Sequence, residues 1–592
     1  MQFLLVALNA KYIHSNPALY SLRAYAKKHV EKYVQKQDLV YENCVQIAEY
    51  TINNRMEDIL ADIYKRKPDM VGFSCYIWNF NMIQDIVCEL HKLMQELPIW
   101  LGGQVVSFER EKVLEKHPYL AGIMEGEGEA VFTELLIHYL SGKGALTDIK
   151  GLLLPGGVRT GYREPLSLSE VPFLYTDLEG FENRIIYYES QRGCPFRCSY
   201  CLSSIDKSVR FRDMATVKRD LQFFLDHKVA QVKFVDRTFN CNHEHAMAVW
   251  KYIYENDNGV TNFHFEIAGD ILNKEELELL AKMRPGLVQL EIGVQSVNPD
   301  TLREIRRVMD VSKLKEVTAS IRESGNVHQH LDLIAGLPFE DYDSFADSFN
   351  EVYAMNPNQL QLGFLKVLKG SYMHEMAEDY GLVYMDKPPY EVLYTKWLSY
   401  AEVCRLKRVE EMVELYYNSN QFTHTLPMLL KAFPTPFALY EALADYYEEN
   451  GLFVETPSRI YRYRVLLDFA IRWDGEKEAL YRELLTFDLY LRENLKSRPD
   501  FAADVSGYKR EINAFYRVEE ERRFYLPSYA DYDSKQLARM THLEPFTYAV
   551  WDAAEATEKK QSGYVLFDYK ERSPITGEAR TCFVPAGKQE TV

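Results

Sequence analysis

The chain has 592 residues, of which 47% are hydrophobic and 13% aromatic, so it can bury several apolar cores. Its 69 Lys and Arg residues against 87 Asp and Glu residues give a formal charge of −18, which disfavours nucleic acid and anionic membranes as partners. The first residues lack the basic region of a secretory signal, and no run of about 18 uncharged apolar residues occurs. We therefore expect a cytoplasmic protein without a membrane partner.

The first 145 residues alternate short apolar runs with amphipathic stretches. The strand-like runs are 2–8, 69–75, 98–103 and 121–124, and the helical patterns are 17–33, 52–66, 81–96 and 129–141. Nearly continuous apolar strands separated by helix-length crossovers indicate a parallel sheet covered on both faces. The sequence therefore predicts a doubly wound, Rossmann-like domain over residues 1–145.

The loops that follow these strands are the predicted ligand site, because such sheets bind ligands beyond the carboxyl ends of their strands. They read "NAKYIHSN", "SCYIWN", "GGQVVS" and "EGEGE", rich in Gly and small polar residues that let a backbone approach a large ligand. An ordinary turn also explains each Gly pair taken alone. The absence of GxGxxG and GxxxxGK[ST] argues against dinucleotide and P-loop sites.

A Pro- and Gly-rich segment, 146–184, is predicted to link this domain to a second α/β series over 185–378. Six strand candidates occur there, at 185–190, 231–236, 262–268, 287–294, 330–336 and 359–365. Six βα units are too few for a closed barrel of eight, so we expect a partial, open (βα)6 barrel of the TIM type.

Residues 379–592 change to long helical patterns crowded with Tyr and acidic residues. The segment 563–585 is typical of a hairpin around "SPITGE". We therefore expect a mostly helical C-terminal domain.

Three of the nine cysteines, Cys194, Cys198 and Cys201, fall within the short stretch "CPFRCSYC". A structural zinc site needs four ligands, and no fourth Cys or His stands at pair spacing. A redox pair in "CSYC" leaves Cys194 unexplained. An iron–sulfur cubane held by three thiolates keeps its fourth iron open for a substrate or cofactor, which makes it a reaction site.

The spacing CxxxCxxC, with Tyr200 before the last cysteine, resembles the signature of the radical S-adenosylmethionine (SAM) superfamily. The resemblance implies that the three cysteines hold a [4Fe-4S] cluster and that SAM chelates its open iron. An electron, supplied by a flavodoxin or ferredoxin, would then cleave SAM to methionine and a 5′-deoxyadenosyl radical. Tyr200 would lie beside the adenine, although a simple packing role explains this aromatic residue equally well.

The segments "EIGVQS" and "DLIAGLP" resemble the branch that contains the anaerobic coproporphyrinogen oxidases. That resemblance implies that Glu266 meets the SAM amino group, Arg307 the carboxylate, Gln295 the ribose, and Asp332 the ribose or the adenine edge. A carboxylate for an ammonium and a guanidinium for a carboxylate are the matches that such a ligand requires.

Two features depart from this pattern. The usual Gly-rich segment after the second barrel strand is replaced by "FVDRTFN", which leaves Asp236 and Thr238 as uncertain neighbours of SAM. The segment "REIRR" also offers Arg303 and Arg306 in place of Arg307, and a solvated helix face explains all three arginines.

The N-terminal domain, through "LGG" followed by "GEGE", resembles the cobalamin-binding domain that precedes the radical core in the B12-dependent branch. The resemblance implies that Gly102 and Gly103 pack on the nucleotide tail of cobalamin. It also implies that the same crevice is lined by Ser74, Gly126, Glu127 and Gly128. The histidine motif DxHxxG is absent. His14 could be a lower ligand, but we expect a hydrogen-bonded loop histidine, and hence cobalt bound without a protein histidine.

The combined resemblance implies a cobalamin-dependent radical SAM enzyme that methylates an unactivated carbon of a small molecule or peptide. One alternative is a radical cyclisation or rearrangement without methyl transfer. A tRNA methylthiotransferase would need an N-terminal cysteine set, for which Cys44, Cys75 and Cys88 are poor candidates. A non-catalytic corrinoid carrier is a further alternative. The C-terminal third resembles an extension of clostridial-type B12 radical SAM proteins that has no assigned chemistry.

Overall fold

The computed structural model describes residues 1–35, 40–205, 208–454, 457–552 and 560–586. Two mainly parallel sheets come first, and a helical region with a small antiparallel sheet follows them. This arrangement confirms the predicted fold class. No helix in the described ranges combines the length and the apolar character needed to cross a membrane.

The first sheet has seven strands, and the helices between its parallel strands cover both of its faces. In spatial order the strands are Val45–Thr51, Phe3–Asn9, Met70–Ser74, Ile99–Gly102, Gly122–Met124, Leu152–Leu154 and Val158–Arg159. The helices are Pro17–Gln35, Tyr41–Cys44, Met56–Arg66, Phe80–Leu93, Gln104–Phe108, Arg110–Lys116 and Gly128–Ser141. The first five strands in this order are parallel and the last two antiparallel. The strand Phe3–Asn9 is buried along its whole length, which explains its unbroken apolar sequence.

Two parts of this sheet differ from the sequence expectation. The edge strand Val45–Thr51 was not predicted, because "VQIAEYT" mixes polar and apolar residues without a continuous apolar run. The segment predicted as a linker, 146–184, contributes the two antiparallel strands at the opposite edge.

The second sheet is an open arc of six parallel strands in chain order. They are Ile186–Tyr188, Gln231–Phe234, Asn262–Ile267, Val288–Gln295, His328–Ala335 and Gln359–Phe364. Its helices are Met214–Asp226, His243–Glu255, Lys274–Leu280, Pro299–Glu304, Val311–Ser324 and Tyr342–Ala354. All six predicted strands are present, and the partial (βα)6 barrel is confirmed. A two-stranded ribbon, Gln191–Arg192 with Arg210–Phe211, brackets the cysteine loop.

The barrel strands alternate between an apolar outer face and a polar inner face. In Val288–Gln295, for example, every second residue is buried under the helices. The intervening Glu291, Gly293 and Gln295 line a cavity at the carboxyl end of the barrel. The period of two along this strand therefore delivers its polar side chains to the inside.

The C-terminal region packs directly on the barrel. Its helices are Tyr400–Met412, Thr425–Leu430, Pro436–Glu449, Arg459–Asp474, Glu478–Arg492, Lys509–Arg522 and Ser534–Met540, and its antiparallel sheet is Thr541–Tyr548, Lys560–Arg572 and Ala579–Pro585. A short helix, Tyr372–Glu375, and a ribbon of Val383–Tyr384 with Val392–Tyr394 precede them. The last two strands of the sheet form the hairpin predicted around "SPITGE". One hydrophobic core continues from the barrel into these helices, where the ring of Phe349 lies 5.5 Å from Phe437 and 5.8 Å from Tyr440.

Glu49, on the unpredicted edge strand, ties the first loop of the N-terminal domain to the barrel. Its side chain is only 8% exposed and pairs with Arg184, just before the first barrel strand, at 2.9 Å. It also accepts hydrogen bonds from the Asn16 backbone N–H at 2.7 Å, the Tyr20 hydroxyl at 2.7 Å and the Asn9 amide at 2.9 Å. Four donors thus depend on one carboxylate.

We expect Glu49→Ala to lower the free energy of unfolding by about 3 kcal/mol, because it leaves a largely buried guanidinium and three other donors without their acceptor. Thermal denaturation of the apoprotein measures the effect as a lower Tm. The exposed Glu57, whose contact with Arg55 is 3.7 Å long, supplies the control variant Glu57→Ala. Equal Tm values for the two variants would contradict the assigned role of Glu49.

Candidate functional site

The cysteine loop starts directly after the first barrel strand and is fixed at its base by a buried carboxylate. Asp236 accepts hydrogen bonds from the Ser190 backbone N–H at 2.9 Å, the Ser190 hydroxyl at 2.7 Å and the Gln191 backbone N–H at 2.7 Å. Burial raises the pKa of Asp236 to about 8. Gly193 has a φ of +100°, and a Cβ there would lie 2.1 Å from the Ser208 carbonyl oxygen, so the turn requires glycine.

A cavity of about 180 Å³ brings the predicted cluster and SAM residues together. Its lining includes the three cysteines and all five predicted SAM contacts, namely Cys194, Cys198, Cys201, Tyr200, Glu266, Gln295, Arg307 and Asp332. Three strands and two loops contribute to this set, so the fold itself gathers residues that are far apart in sequence. Thr238 also lines the cavity, with its hydroxyl 3.5 Å from the Cys194 sulfur, whereas Asp236 lies beneath the cysteine loop.

Arg307 is the arginine of "REIRR" that reaches both the cysteines and the barrel strand. Its guanidinium donates to the Cys198 sulfur at 3.7 Å and to the Gly293 carbonyl oxygen. Arg303 pairs with Asp300 at 2.9 Å on the exposed helix face, and Arg306 lies over the Tyr372 ring at 3.5 Å. Arg307 therefore points toward the cavity, whereas Arg303 and Arg306 lie on the outer surface.

Gln295 reaches the cavity through an irregular strand end. Its φ is +75°, and the pairing register shifts between Gly293 and Gln295. A Cβ on Gly293 would lie 2.3 Å from the Gln295 side-chain nitrogen, so a larger residue at position 293 would displace this amide.

Tyr200 has features of both predicted roles, as a neighbour of the SAM adenine and as a packing residue. It lines the cavity and also packs against the apolar cluster that contains Leu337 and Val367. Burial raises the pKa of its hydroxyl.

Three carboxylates face the barrel interior beside one lysine. The Lys233 ammonium lies 2.9 Å from Glu291 and 4.0 Å from Glu266, and His330 lies 3.1 Å from Asp332. Burial raises the pKa values of Glu266 and Asp332. For Glu291 burial acts in the same direction, but the His264 hydrogen bond and the Lys233 charge outweigh it and hold the pKa well below its usual range. Glu266 also lies 3.7 Å from the Arg237 guanidinium, so the carboxylates of the interior are paired with basic side chains.

Glu291, His330 and Asp332 could also hold a metal ion, since their donor atoms lie within 4.8 Å of one another. However, the Lys233 ammonium already pairs with Glu291 at 2.9 Å. A second cation at the same carboxylate would be repelled by it. We therefore interpret these residues as an ion network and not as a metal centre.

His245 supports the cysteine loop from below, a role that the sequence did not indicate. Its Nε2 lies 2.9 Å from the Ser190 hydroxyl, and its ring lies 4.9 Å from Phe211 and 6.0 Å from Phe239. Burial among these aromatic rings lowers the pKa of His245 to about 4. The imidazole is therefore neutral at pH 7.

The low pKa of His245 makes the fold sensitive to acid. Because its pKa is lower in the folded than in the unfolded chain, its contribution is complete above pH 6.5 and is lost as the pH falls toward about 4. We expect wild type to lose about 2 kcal/mol more stability between pH 7 and pH 5 than His245→Gln, which keeps an acceptor for Ser190. Urea denaturation at both pH values measures this difference. Parallel losses in the two proteins would rule out His245 as a source of acid sensitivity.

A larger crevice, of about 570 Å³, lies beyond the carboxyl ends of the first sheet. All six residues predicted for cobalamin line it, namely Ser74, Gly102, Gly103, Gly126, Glu127 and Gly128. Tyr187 and Glu189 of the barrel and the following Arg192 form part of the opposite wall. Tyr76, in the loop after the third strand of the N-terminal domain, also lines the crevice and was not predicted. The crevice therefore lies between the two α/β domains.

The two adjacent glycines differ in their roles. Gly103 has a φ of +110°, and a Cβ there would lie 2.6 Å from the Cys75 carbonyl oxygen, so close backbone packing requires glycine. At Gly102 the nearest atom to an added Cβ is the Met124 methyl at 3.6 Å, an ordinary contact. A side chain at Gly102 is thus compatible with the backbone.

His14 is the hydrogen-bonded loop histidine that the sequence favoured. Its Nδ1 lies 2.6 Å from the Tyr187 hydroxyl, and burial, together with Lys11 and Lys233, lowers its pKa. Among the described residues that line the crevice there is no histidine.

Arg192 joins the crevice to the cysteine loop through partly buried ion pairs. It pairs with Glu189 at 2.7 Å, Glu129 at 2.9 Å and Glu127 at 3.4 Å. Glu127 and Glu129 belong to the "EGEGE" segment, where the loop passes into the helix Gly128–Ser141, and Arg192 comes two residues before Cys194. The sequence predicted Glu127 for the crevice, but it gave no sign that Arg192 would meet this loop.

The residues present fit the cofactors that the resemblance implies. Three thiols converge in one cavity, and because burial raises the pKa of the Cys194 thiol, bound iron would be what stabilises its thiolate. The crevice offers glycine-rich loops and a mainly apolar wall, which suit a corrin ring without a protein nitrogen below it.

Comparison with known families separates the chain into three parts. Residues 4–136 match a B12 binding domain, residues 188–352 match the Radical SAM superfamily, and residues 378–567 match a protein of unknown function (DUF4080). The chain thus combines a B12-binding domain with a radical SAM domain. The B12-binding domain contains the strand-end loops of the crevice, and the radical SAM domain contains the cysteine loop and the carboxylates.

Two curated proteins are similar to this chain over more than half of its length. The cobalamin-dependent radical SAM methyltransferase TokK of Streptomyces tokunonensis is 26% identical over 357 residues, 54% of this chain and 51% of that protein. The 2-(S-pantetheinyl)-carbapenam-3-carboxylate methyltransferase of Streptantibioticus cattleyicolor is 24% identical over 495 residues, 74% of this chain and 68% of that protein. The chain therefore spans about half the length of TokK.

A solved structure shares the fold. The cobalamin-dependent S-adenosylmethionine radical enzyme OxsB, with aqua-cobalamin bound, superposes with a TM-score of 0.55 at 16% identity over 82% of this chain and 80% of that one. At this identity the likeness extends to the fold alone.

Proposed function

We propose that this protein is a cobalamin-dependent radical SAM enzyme that methylates an unactivated carbon of a small molecule or peptide. The observation that carries the proposal is the placement of two cavities against one segment of chain. Glu189 lines the crevice of the B12-binding domain, and Cys194, five residues later, lines the cavity of the radical SAM domain. A methyl carrier and a radical source would therefore be neighbours.

When bound, the cluster and SAM would supply a carbon-centred radical, and cobalamin would supply the methyl group. Cys194, Cys198 and Cys201 would hold the cluster. Glu266 would accept hydrogen bonds from the SAM ammonium, and Arg307 would pair with the SAM carboxylate. Gln295 would bind the ribose, and Asp332, on the neighbouring strand, would bind the ribose or the adenine edge.

The chain also shields the reacting atoms. The crevice wall includes Phe73, Phe108, Phe173 and Leu174, apolar side chains that exclude water from a reactive intermediate. The Arg192 network holds the "EGEGE" loop and the cysteine loop in one arrangement, so both cofactors would bind to preformed loops.

The N-terminal cysteines do not favour the tRNA methylthiotransferase alternative. Cys44 packs in the apolar cluster that contains Phe3 and Leu5, whereas Cys75 packs in the cluster that contains Leu4 and Val6. Since successive residues of a strand point to opposite faces, these thiols lie on opposite faces of the sheet. They cannot hold one cluster together.

A cytoplasmic location and a flavodoxin or ferredoxin as electron donor complete the proposal. All nine cysteines are unpaired, which fits a reducing compartment.

We expect the reduced protein, reconstituted anaerobically with iron, sulfide and hydroxocobalamin, to convert SAM into both 5′-deoxyadenosine and S-adenosylhomocysteine. The first product reports radical formation and the second reports methyl transfer, and chromatography with mass spectrometry measures both. Replacing the three cysteines by Ala should abolish 5′-deoxyadenosine. Glu266→Gln should weaken SAM binding about tenfold, since it loses a charge-assisted hydrogen bond.

The outcomes separate the alternatives. Formation of 5′-deoxyadenosine without S-adenosylhomocysteine would replace methylation by a cyclisation or rearrangement. Zinc in place of iron, or neither product, would overturn the radical SAM assignment.

We expect Gly102→Phe to abolish cobalamin binding, because the backbone accepts a side chain there and the aromatic ring would occupy the crevice. Titration with hydroxocobalamin, followed by its visible spectrum, measures the loss. Gly507→Phe is the matched control, since an added Cβ there meets open space and Gly507 does not line the crevice. Unchanged binding by Gly102→Phe would move cobalamin away from this crevice.

A further inference from the structure

A concave surface of about 630 Å³ lies on the outer side of the cysteine loop. It is lined by Pro195, Phe196 and Arg197 of that loop and by Leu302, Arg303, Arg306, Arg307 and Val308 of the helix end that follows the fourth barrel strand. We call it the arginine surface. It is separate from the crevice and from the cofactor contacts described above, apart from the wall that it shares with the cluster cavity.

The arginine surface concentrates positive charge on an acidic protein. Arg197, Arg303 and Arg306 are exposed, although the chain as a whole has a formal charge of −18. The Asp300 partner of Arg303 is itself exposed, so this pair is screened by solvent. Arg306 lies over the Tyr372 ring at 3.5 Å, which orients its guanidinium and leaves its charge intact. The surface therefore favours an anionic partner.

The surface is separated from the cluster cavity by a single layer of side chains. Phe196, Arg307 and Val308 line both the arginine surface and the cavity that contains the three cysteines. Arg307 also donates to the Cys198 sulfur at 3.7 Å. A partner seated on this surface would therefore bring its redox centre close to the cluster.

The surface also offers apolar contact. Val308 is 81% exposed, and Pro195 is exposed beside it in the lining. Electron-transfer encounters have small interfaces, in which complementary charge guides association and a few apolar groups make contact. The arginine surface has this composition.

We propose that the arginine surface is the docking site of flavodoxin, an acidic protein that carries single electrons. The inference rests on the proposed function and adds to it the place where the electron enters. The anionic flavin hydroquinone of the partner gives up one electron and becomes the neutral semiquinone, and the cluster is reduced by that electron. No atom is transferred and no proton moves.

The test is flavodoxin binding to the reconstituted full-length protein, measured by calorimetry. The variant Arg197→Glu/Arg303→Glu/Arg306→Glu should bind flavodoxin at least about tenfold more weakly than wild type at low salt. Raising the salt from about 50 mM to about 300 mM should weaken wild-type binding and reduce this difference. The matched control is Arg510→Glu/Arg517→Glu/Arg522→Glu, which changes the net charge equally on an exposed helix of the C-terminal domain.

A second measurement separates docking from chemistry. With dithionite as reductant, the variant of the arginine surface should form 5′-deoxyadenosine at the wild-type rate, whereas with reduced flavodoxin its rate should fall at least about tenfold. A wild-type protein that cleaves no SAM with dithionite would contradict the proposed function, while the binding measurement would still report on docking. If the triple variant loses iron, Arg303→Glu/Arg306→Glu, outside the cysteine loop, provides the same comparison.

Three results would overturn the docking site. The first is flavodoxin binding by the variant as tight as that of wild type, and the second is an equal loss in the control. The third is heparin bound with the affinity of flavodoxin, which would identify a general anion-binding surface.

Discussion

The partly buried ion network around Arg192 is the interaction on which both cavities depend. This residue belongs to the barrel, yet two of its partners, Glu127 and Glu129, come from the other α/β domain, where a strand-end loop passes into the helix Gly128–Ser141. Burying a guanidinium is unfavourable unless its partners surround it closely. Here Glu129 and Glu189 raise the pKa of Arg192 further, although burial opposes them, and the contact with Arg192 holds the pKa of Glu129 below its usual range, also against burial. The two domains are therefore held in one relative position at the point where their cavities meet.

Much of the fold was predictable because it follows from local periodicity. Most strands of the first sheet are short apolar runs, the barrel strands alternate between apolar and polar residues, and the cysteine spacing predicted the cluster-binding loop. The strand Val45–Thr51 escaped prediction, since its side chains alternate irregularly, although its Glu49 turns out to anchor four donors. From its sequence alone, an edge strand with few apolar residues resembles a loop, because its pairing with the neighbouring strand cannot be seen there.

A site residue could be predicted where it belongs to a sequence motif. It could not be predicted where its role depends on contacts with residues that are distant in the sequence. In "REIRR" the spacing offered three arginines, and only the helix end shows that Arg307 points inward while Arg303 and Arg306 face solvent. Arg192 and His245 carry no motif of their own. Their roles arise from residues that lie more than fifty positions away in the chain. The spacing of residues along the chain does not show which of these distant residues come into contact.

The continuous core between the barrel and the C-terminal region has a consequence for how this protein can be divided. Phe349 lies on a barrel helix, but its aromatic neighbours Phe437 and Tyr440 belong to the region of unknown function. A chain cut after residue 378 would expose this apolar helix face to water, at about 25 cal/mol for each Å² uncovered. The C-terminal region therefore cannot be removed without exposing part of the hydrophobic core. It shares one hydrophobic core with the helices that cover the radical SAM domain, so the two parts form a single folding unit.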